Sequence, residues 1–402
     1  MRLHGNQDDD ATSTAAPVLS PSIMRLMMTT LLGGMSPRQF LEEYWQKKPL
    51  LVRQAVPGFT GVVSRDELFD LACDPDVESR YIRYQADTPG SSWTLERGPQ
   101  TRGRLRGKRQ PWTVLVQGLN LWVPAGDALL HQFDFIPQAR LDDLMVSYAV
   151  DGGGVGPHFD NYDVFLLQGI GQRRWQIADQ TDRSLVEDAP LRILKHFTPT
   201  HDWVLEPGDM LYLPPHWAHN GIAIGECTTY SIGFRSPTAQ ELGVSFLEWL
   251  QERIQLEGMY ADPELALQDN SAEIGPAMID QVERMLAGIR WTRRDIAAFL
   301  GTYLTEPKAH VFFESPEAPL TQKAFTRALG NKGCTLDART LLLWSEAGFH
   351  LNGEPLCPDE ADIPTLSALA HQRRLDANAV LSPALVEQFY QWYEDGFIHL
   401  QE

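Results

Sequence analysis

The chain has 402 residues, of which 43% are hydrophobic and 22% are charged, so it is long enough for two or three globular domains with buried cores. Its 34 basic and 53 acidic residues give a net charge of −19, which argues against a general nucleic-acid binder, because phosphate contacts need a basic surface. The same charge fits a basic protein partner, although acidity also simply keeps proteins soluble. The 4 cysteines contain no CxxC pair, which indicates neither a disulfide framework nor a zinc knuckle.

Residues 1–36 form a polar N-terminal tail that carries three consecutive aspartates at 8–10 and is typical of disorder. The Met- and Leu-rich stretch at 23–32 is short, is interrupted by Arg25 and follows an acidic leader, so it makes a poor signal peptide. No run approaches the roughly 20 apolar residues that a membrane helix needs. We therefore expect a soluble, cytoplasmic protein that has no membrane contact.

The next part of the chain is predicted to be mainly β. PRQFLEEYWQKKP (37–49) predicts a helix, and the apolar run at 50–52 predicts a strand. Between 111 and 235, short β-branched and aromatic runs alternate with Gly, Pro and Asp, which is typical of a sandwich or barrel. These runs are PWTVLVQGLNLWV, DLMVSYAV, YDVFLLQG, RRWQIAD and TTYSIGF. We predict a β-barrel of the cupin type.

The residue pattern becomes typical of helices after about residue 237. AQELGVSFLEWLQERIQLEG (239–258) and the stretch at 271–304 space apolar residues along one helical face. Residues 311–402 mix helical and extended segments, which predicts a small α+β module of winged-helix type. This module has 6 basic against 13 acidic side chains, which favours a structural or protein-interaction role over DNA reading.

The most informative stretch is AVDGGGVGPHFDNYDVFLLQG at 149–169. His158 and Asp160 are two positions apart, so on a strand their side chains share a face. An imidazole and a carboxylate so placed can bind one metal ion at about 2.0–2.2 Å. The preceding glycines permit unusual backbone angles, and Pro157 favours an extended chain. H-x-D alone is a weak motif that occurs by chance, so it needs a third ligand.

LEPGDMLYLPPHWAHNGIA (205–223) supplies the candidate third ligand, because it predicts a strand, a rigid Pro-Pro corner and a return strand carrying His219. His219 would complete a face of two imidazoles and one carboxylate, which is diagnostic of non-haem Fe(II) oxygenases. His216 competes for this role, but it lies in the corner itself, where a side chain more often faces solvent. We favour His219.

Arg173 in GIGQRRW is the candidate for an anion contact. If the strands at 163–167 and 174–177 are neighbours, Arg173 faces inward, where its guanidinium can pair with a carboxylate. Arg174 could exchange roles with it. Ser147 faces inward on the preceding strand and could donate its hydroxyl to the same carboxylate.

Together these residues resemble the JmjC-type 2-oxoglutarate oxygenases, and among them the ribosomal oxygenases. The resemblance covers residues 37–402, and its specific strings are QKKPLLVR, the stretch at 142–175, LEPGDMLYLPPHWAHNG and YSIGFRSP. It implies a JmjC double-stranded β-helix catalytic domain at 37–240, a helical homodimerisation region at 241–310 and a winged-helix-like domain at 311–402.

The resemblance also implies the chemistry. Fe(II) would be held by His158, Asp160 and His219, with 2-oxoglutarate and O2 as co-substrates. Arg173 would bind the distal carboxylate of 2-oxoglutarate, and Ser147 would be a second contact. The implied substrate is an arginine side chain of a basic large-subunit (50S) ribosomal protein, which would gain a hydroxyl group.

A buried substrate guanidinium needs an acidic or aromatic-lined slot, and Asp151 and Tyr162 are our candidates for its lining. Asp151 could instead only cap a turn. The basic stretch RGPQTRGRLRGKR (97–109) departs from the family pattern and is either a solvated loop or a contact with ribosomal RNA.

Three alternative functions stay open on the sequence. One is a cupin dioxygenase or isomerase that uses no 2-oxoglutarate. Another is a JmjC oxygenase that acts on a different residue or protein. The third is a non-enzymatic, metal-dependent binding module.

Overall fold

A computed structural model describes residues 30–85, 93–107 and 110–401 of the chain. The predictions for residues 1–29 therefore lie outside the described residues. The chain divides into two compact units between Ser236 and Pro237. Within the described ranges, no helix is both long and apolar enough to cross a membrane.

Unit 1 contains the strands β1 (Leu50–Val52), β2 (Ser79–Tyr84), β3 (Trp93–Arg97), β4 (Trp112–Val116), β5 (Leu141–Ala149), β6 (Val164–Gln168), β7 (Gln172–Ala178), β8 (His201–Leu205), β9 (Met210–Leu213), β10 (Ala218–Ile224) and β11 (Cys227–Phe234). Its helices are α1 (Pro37–Glu43), α2 (Arg65–Cys73), α3 (Arg102–Leu105), α4 (Leu119–Trp122) and α5 (Pro124–Leu130).

The strands of unit 1 form two antiparallel sheets. The larger sheet has the order β1-β9-β6-β11-β5-β4-β2-β3, and the smaller sheet has the order β10-β7-β8. From β6 to β11 the chain passes repeatedly between the two sheets, which is the connectivity of a double-stranded β-helix. This confirms the predicted fold class.

The central strands β6, β9 and β11 of the larger sheet are buried on both faces. The helix-covered face carries an aromatic cluster that includes Phe40, Phe165 and Tyr212, and the opposite face carries Leu166 and Leu211. Strands covered on both faces read as continuous apolar runs, which is why VFLLQ shows no alternation. The interior between the two sheets is therefore mainly apolar, apart from the polar side chains that point into it.

Three details differ from the sequence predictions. LNLW, which we predicted as a strand, forms α4, because Gly118 adopts a left-handed φ of 62° and ends the strand. β6 and β7 are not neighbours, since β7 pairs with β8 and β10 in the other sheet. Leu31 and Leu32, which we placed in the polar tail, are buried in the core, so the packed domain begins before residue 37.

The strings QKKPLLVR and LEPGD are two halves of one structural element. β1 pairs with β9, so that Leu50 lies opposite Tyr212. The buried carboxylate of Asp209 accepts hydrogen bonds from the backbone N–H of Gln54 at 2.9 Å and of Glu206 at 3.0 Å. It also accepts one from the Arg53 guanidinium at 2.5 Å. This carboxylate fixes the turn that leads into β9.

We expect Asp209→Asn to lower the free energy of unfolding at pH 7 by about 1–3 kcal/mol, because it removes charge-assisted hydrogen bonds. Burial raises the pKa of Asp209, but these hydrogen bonds outweigh burial and hold the pKa below its usual value. The stabilisation is therefore present above the unfolded pKa of about 3.9 and is lost as the pH falls through the folded value. Denaturant unfolding at pH 7 and below pH 4 measures both effects.

The control is Asp202→Asn, because Asp202 pairs with Arg174 on the surface and exposed pairs contribute little. Equal destabilisation by the two substitutions would contradict the role given to Asp209.

Unit 2 contains the helices α6 (Ala239–Gln251), α7 (Pro276–Leu286), α8 (Arg293–Thr305), α9 (Gln322–Lys332), α10 (Ile363–Gln372) and α11 (Pro383–Glu394). Its strands are β12 (Cys334–Leu336), β13 (Leu342–Ser345), β14 (Gly348–Leu351), β15 (Glu354–Leu356), β16 (Arg374–Leu375) and β17 (Ile398–Leu400).

The strands of unit 2 form two small sheets, β16-β12-β17 and β13-β14-β15. α9, α10 and α11 bury Phe325, Leu369 and Phe389 in a common core with them. α8 belongs with these strands by its contacts, because the Thr305 hydroxyl accepts a hydrogen bond from Gly353 N–H at 2.9 Å. The predicted division at residues 310 and 311 separates α8 from this module and stays a prediction.

Candidate metal centre

The glycine run after β5 carries the chain to His158 through positions that exclude a side chain. A Cβ atom at Gly154 would overlap the carbonyl oxygen of Gly221. Gly156 has a φ of +78°, and a Cβ there would lie 2.8 Å from the Trp93 ring. The run can therefore lie flat against β10, which brings His158 beside His219.

His158 does not lie on a regular strand, contrary to the assumption in the sequence analysis. It forms an isolated antiparallel bridge with His219, with His158 N–H donating to His219 O at 3.0 Å and His219 N–H donating to His158 O at 2.9 Å. The two imidazole rings are 4.2 Å apart as a result. The Asp160 side chain still turns to the same side.

The side chains of His158, Asp160 and His219 converge, and their potential ligand atoms all lie within 4.8 Å of one another. One Asp160 oxygen is 3.4 Å from His219 Nε2, and the other is 3.8 Å from His158 Nε2. Two imidazole nitrogens and a carboxylate oxygen that face one point are a donor set suited to a divalent transition metal.

Each imidazole is oriented through its other nitrogen. His158 Nδ1 lies 2.9 Å from Gly156 O, and His219 Nδ1 lies 3.0 Å from Trp217 O. A carbonyl oxygen accepts a hydrogen bond from a protonated Nδ1, which leaves the Nε2 lone pair facing Asp160. Metal-binding histidines are held in the same way.

The electrostatics agree with this donor set. Burial, together with the neighbouring His219, lowers the pKa of His158 to about 4, so its imidazole is neutral at pH 7. Burial raises the pKa of Asp160, but contacts with His219 and His158 outweigh it and lower the pKa to about 2. Burial lowers the pKa of His219, but the Asp160 hydrogen bond outweighs it and raises the pKa. Metal binding requires a neutral imidazole and an ionised carboxylate, so a bound metal ion would favour the unprotonated form of His219.

His216 lies outside this cluster. It is exposed, adopts a φ of 72° in the Pro-Pro corner and donates its backbone N–H to Asp160 O at 2.9 Å. Its backbone supports Asp160, while its imidazole takes no part in the group of three.

Arg173 points into the interior of the barrel. It lies on the same face of β7 as the buried Trp175 and Ile177, and only 3% of its surface is exposed. Its Nε and Nη2 atoms are buried and have no hydrogen-bond partner among the residues that the structure describes. A guanidinium cannot lose its proton, so an unpaired one in a dry interior calls for an anionic ligand.

Arg174, the alternative to Arg173, faces outward. Its guanidinium forms a two-pronged pair with Asp202, with distances of 2.8 Å from Nε and 2.5 Å from Nη2. The premise that β6 and β7 are neighbours was wrong, but the inward direction of Arg173 follows from burial on β7 itself.

Ser147 lies on the same interior surface, in a row of polar side chains. Strand pairing sets Ser147 opposite Thr229 and Thr229 opposite Gln168, and all three residues are buried. Thr229 donates to the Gln168 side-chain oxygen at 3.0 Å. Thr229 and Gln168 were not predicted from the sequence, although a glutamine that ends the apolar run VFLLQ was a usable signal.

The two predicted substrate-contacting residues are both accessible. Tyr162 is 41% exposed and lies two residues after Asp160. Asp151 is exposed and accepts a hydrogen bond from Gly225 N–H at 2.7 Å, which is the turn-capping alternative. Their part in substrate binding stays a prediction.

A buried network next to the site escaped the sequence analysis. Asp163, three residues after Asp160, accepts hydrogen bonds from the Tyr212 hydroxyl at 2.6 Å and from the Gln46 amide at 2.9 Å. Arg140 lies 3.5 Å from the same carboxylate. This network ties the segment that carries Asp160 to β9 and to the turn that follows α1.

The basic stretch at 97–109 is partly neutralised in the described residues. Arg102 pairs with Asp70, and Arg104 pairs with Glu96 at 2.7 Å. These two arginines are engaged within the protein, which weakens the case for a contact with ribosomal RNA.

Comparison with known proteins matches this architecture. A JmjC domain model matches residues 128–242, and a ROXA-like winged-helix model matches residues 288–399. The chain is 32% identical over 373 residues to the ribosomal protein uL16 3-hydroxylase of Escherichia coli K12. This alignment covers 89% of this chain and 97% of that protein. The chain belongs to the JmjC-type ribosomal oxygenase family.

Other members of the family agree. A probable ribosomal oxygenase of Haemophilus influenzae is 40% identical over 211 residues. The alignment covers 52% of this chain and 51% of that protein. The crystal structure of the E. coli ribosomal oxygenase YcfD superposes with a TM-score of 0.80 at 29% identity and covers 91% of this chain and 98% of its own. Another YcfD structure, with a TM-score of 0.78, contains cobalt and 2-oxoglutarate. The predicted family, fold class and C-terminal winged helix are confirmed.

We expect His158→Ala, Asp160→Ala and His219→Ala each to weaken binding of Mn(II) or Co(II) about a hundredfold or more, because each would remove one of the three predicted ligand atoms rather than a supporting contact. Isothermal titration calorimetry of the purified protein measures the affinity. The matched control is His216→Asn, since asparagine tolerates the left-handed backbone at this position. Loss of binding in His216→Asn with binding kept in His219→Ala would reverse the assignment.

Proposed function

We propose that this protein is an Fe(II)- and 2-oxoglutarate-dependent oxygenase that hydroxylates an arginine side chain of a large-subunit (50S) ribosomal protein. The observation that carries the proposal is the buried, unpaired Arg173 guanidinium in the barrel that also holds His158, Asp160 and His219. A metal site alone would fit many cupins, whereas a metal site with a fixed interior cation fits a dicarboxylate co-substrate.

His158, Asp160 and His219 would hold the iron, which when bound supplies the activation of O2 that hydroxylation of a C–H bond requires, with succinate and CO2 as co-products. Arg173 would anchor the distal carboxylate of 2-oxoglutarate, and Ser147 would donate its hydroxyl to it. Apolar interior side chains such as those of cluster residues Leu166, Trp175 and Leu205 would keep water out. The protein's task is positioning and a dry cavity.

The substrate is assigned from the chemistry and from the relative. The E. coli relative is named a ribosomal protein uL16 3-hydroxylase, so we propose the uL16 protein of this organism, modified in the cytoplasm. The net charge of −19 would favour the approach of a basic ribosomal protein. Asp151 and Tyr162 are both accessible and are the proposed contacts for the arginine side chain.

A homodimer is the proposed assembly, formed by the helical region. Val282 and its apolar neighbours on α7 are exposed, and no α7 residue is buried within the described chain. A continuous apolar stripe on one helix commonly marks an interface. The exposed α7 residues are Met278 at 45%, Ile279 at 55%, Val282 at 38% and Leu286 at 54%. Analytical ultracentrifugation would report a monomer if this proposal is wrong.

We expect Arg173→Ala to raise the KM for 2-oxoglutarate at least tenfold, because a buried charge pair of this kind contributes about 2–5 kcal/mol. The KM of Arg173→Lys should lie between those of the wild type and Arg173→Ala, since lysine keeps the charge but loses the two-pronged geometry. Arg174→Ala should leave the KM unchanged. Unchanged activity of the Arg173→Ala enzyme would favour a cupin that does not use this co-substrate.

The direct test of the activity uses Fe(II), 2-oxoglutarate and uL16 of the same organism. Mass spectrometry of the digested protein should show a gain of about 16 Da on an arginine-containing peptide, as expected when a metal-dependent oxygenase inserts one oxygen atom. Fragmentation should place the oxygen on the arginine side chain. No gain on any large-subunit protein would contradict the proposed function, and a gain on another residue would contradict the arginine assignment.

A further inference from the structure

Arg80 is a second arginine that faces the interior of the barrel. On β2 it alternates with Tyr81, which belongs to the helix-covered core, so Arg80 points to the opposite face. Strand pairing sets it opposite Leu115 on β4, which in turn lies opposite Ser147 on β5. Arg80 therefore shares the interior surface of the larger sheet with Ser147.

The guanidinium of Arg80 has a poor set of partners. Its Nη2 donates to Met145 Sδ at 3.8 Å, and a thioether is a weak acceptor. Its Nε is buried and, among the residues described, has no hydrogen-bond partner. A guanidinium remains charged, and a buried N–H donor without a hydrogen bond is unfavourable. We therefore expect an acceptor from outside the chain here.

The face of β2 that carries Arg80 borders the glycine run of the metal centre. Tyr84 lies four residues after Arg80 on the same face and pairs with Trp93 on β3. A Cβ atom at Gly156, two residues before His158, would lie 2.8 Å from the Trp93 ring. Arg80 therefore lies on the sheet face that leads to the metal centre.

The neighbourhood limits what the missing acceptor can be. Arg173 already offers an unpaired interior guanidinium for the co-substrate carboxylate. The side chain of a target arginine carries the same charge as Arg80 and would be repelled. The main-chain carbonyl oxygens of a bound peptide remain, and each of them needs a donor once it is shielded from water.

We propose that Arg80 binds main-chain carbonyl oxygens of the substrate polypeptide next to the target residue and so fixes the position of the peptide over the metal centre. This inference rests on the proposed function, because it requires a protein substrate. It makes Arg80 a substrate-binding residue whose partner is the backbone, so its contribution should not depend on the side chains that flank the target.

The test is peptide binding to the full-length protein loaded with Mn(II) and 2-oxoglutarate without oxygen, measured by fluorescence anisotropy with labelled, arginine-containing peptides that tile uL16. Arg80→Gln should weaken binding about tenfold or more, as expected for loss of hydrogen bonds from a charged donor. Its affinity for 2-oxoglutarate and for Mn(II) should match that of the wild type. Arg80→Lys should recover part of the peptide affinity.

Arg83→Gln is the matched control, because Arg83 lies on the same strand three positions later and points to the other face. It should bind the peptide like the wild type. Loss of 2-oxoglutarate affinity in Arg80→Gln would assign the residue to the co-substrate and overturn the proposal. Equal peptide affinity of Arg80→Gln and wild type would also overturn it.

The outcomes separate this inference from the proposed function. If wild-type protein binds none of the uL16 peptides, the proposed substrate is wrong and the role of Arg80 falls with it. If wild type binds a peptide and Arg80→Gln binds it equally well, only the role of Arg80 is wrong. A lower thermal midpoint in both Arg80→Gln and Arg80→Lys, with all ligands weakened together, would identify a structural residue instead.

Discussion

Two backbone hydrogen bonds between His158 and His219 are the constraint on which the rest of the site depends. They join the glycine run to β10 and hold the two imidazole rings 4.2 Å apart. Asp160 follows two residues later and can therefore reach both rings. The Nδ1 contacts to Gly156 and Trp217 are consequences of the same bridge, because the carbonyl groups that accept them belong to the segments it joins.

Buried carboxylates outside the triad hold this arrangement in place. Asp209 fixes the turn before β9, and Asp163 joins the segment after Asp160 to Tyr212 on β9. β9 lies next to β6 in the larger sheet, so both anchors act on the same part of the fold. The site is thus positioned by backbone pairing and by charge-assisted hydrogen bonds at the strand ends, where apolar packing alone specifies geometry poorly.

The convergence of three predicted ligand side chains could be foreseen from the sequence, whereas several strand pairings around them could not. His158, Asp160 and His219 could be grouped because short-range spacing and turn chemistry are local properties. The pairing of β7 could not be deduced, since it depends on which sheet the chain enters after a turn. α4 was predicted as a strand for a different reason: a short apolar run has no periodicity that distinguishes a helix from a strand.

The two interior arginines differ in how far the sequence predicts them. The inward direction of Arg173 was predicted from its motif, whereas nothing in the sequence around Arg80 marks it as facing inward. Its direction follows from the registers of β2, β4 and β5, which are long-range pairings. A buried donor without a hydrogen bond can be identified only in the folded structure, where the acceptors around each guanidinium are known.

The position of β1 bears on how this protein can be shortened. β1 is the last strand of the larger sheet and covers the edge of β9. A fragment that started after Arg53 would expose the backbone groups of β9 as an open, apolar strand edge, which is a template for pairing with other chains. It would also remove the arginine that pairs with Asp209. The amino-terminal segment from Leu31 to Arg53 therefore protects the catalytic unit from self-association as well as completing its core.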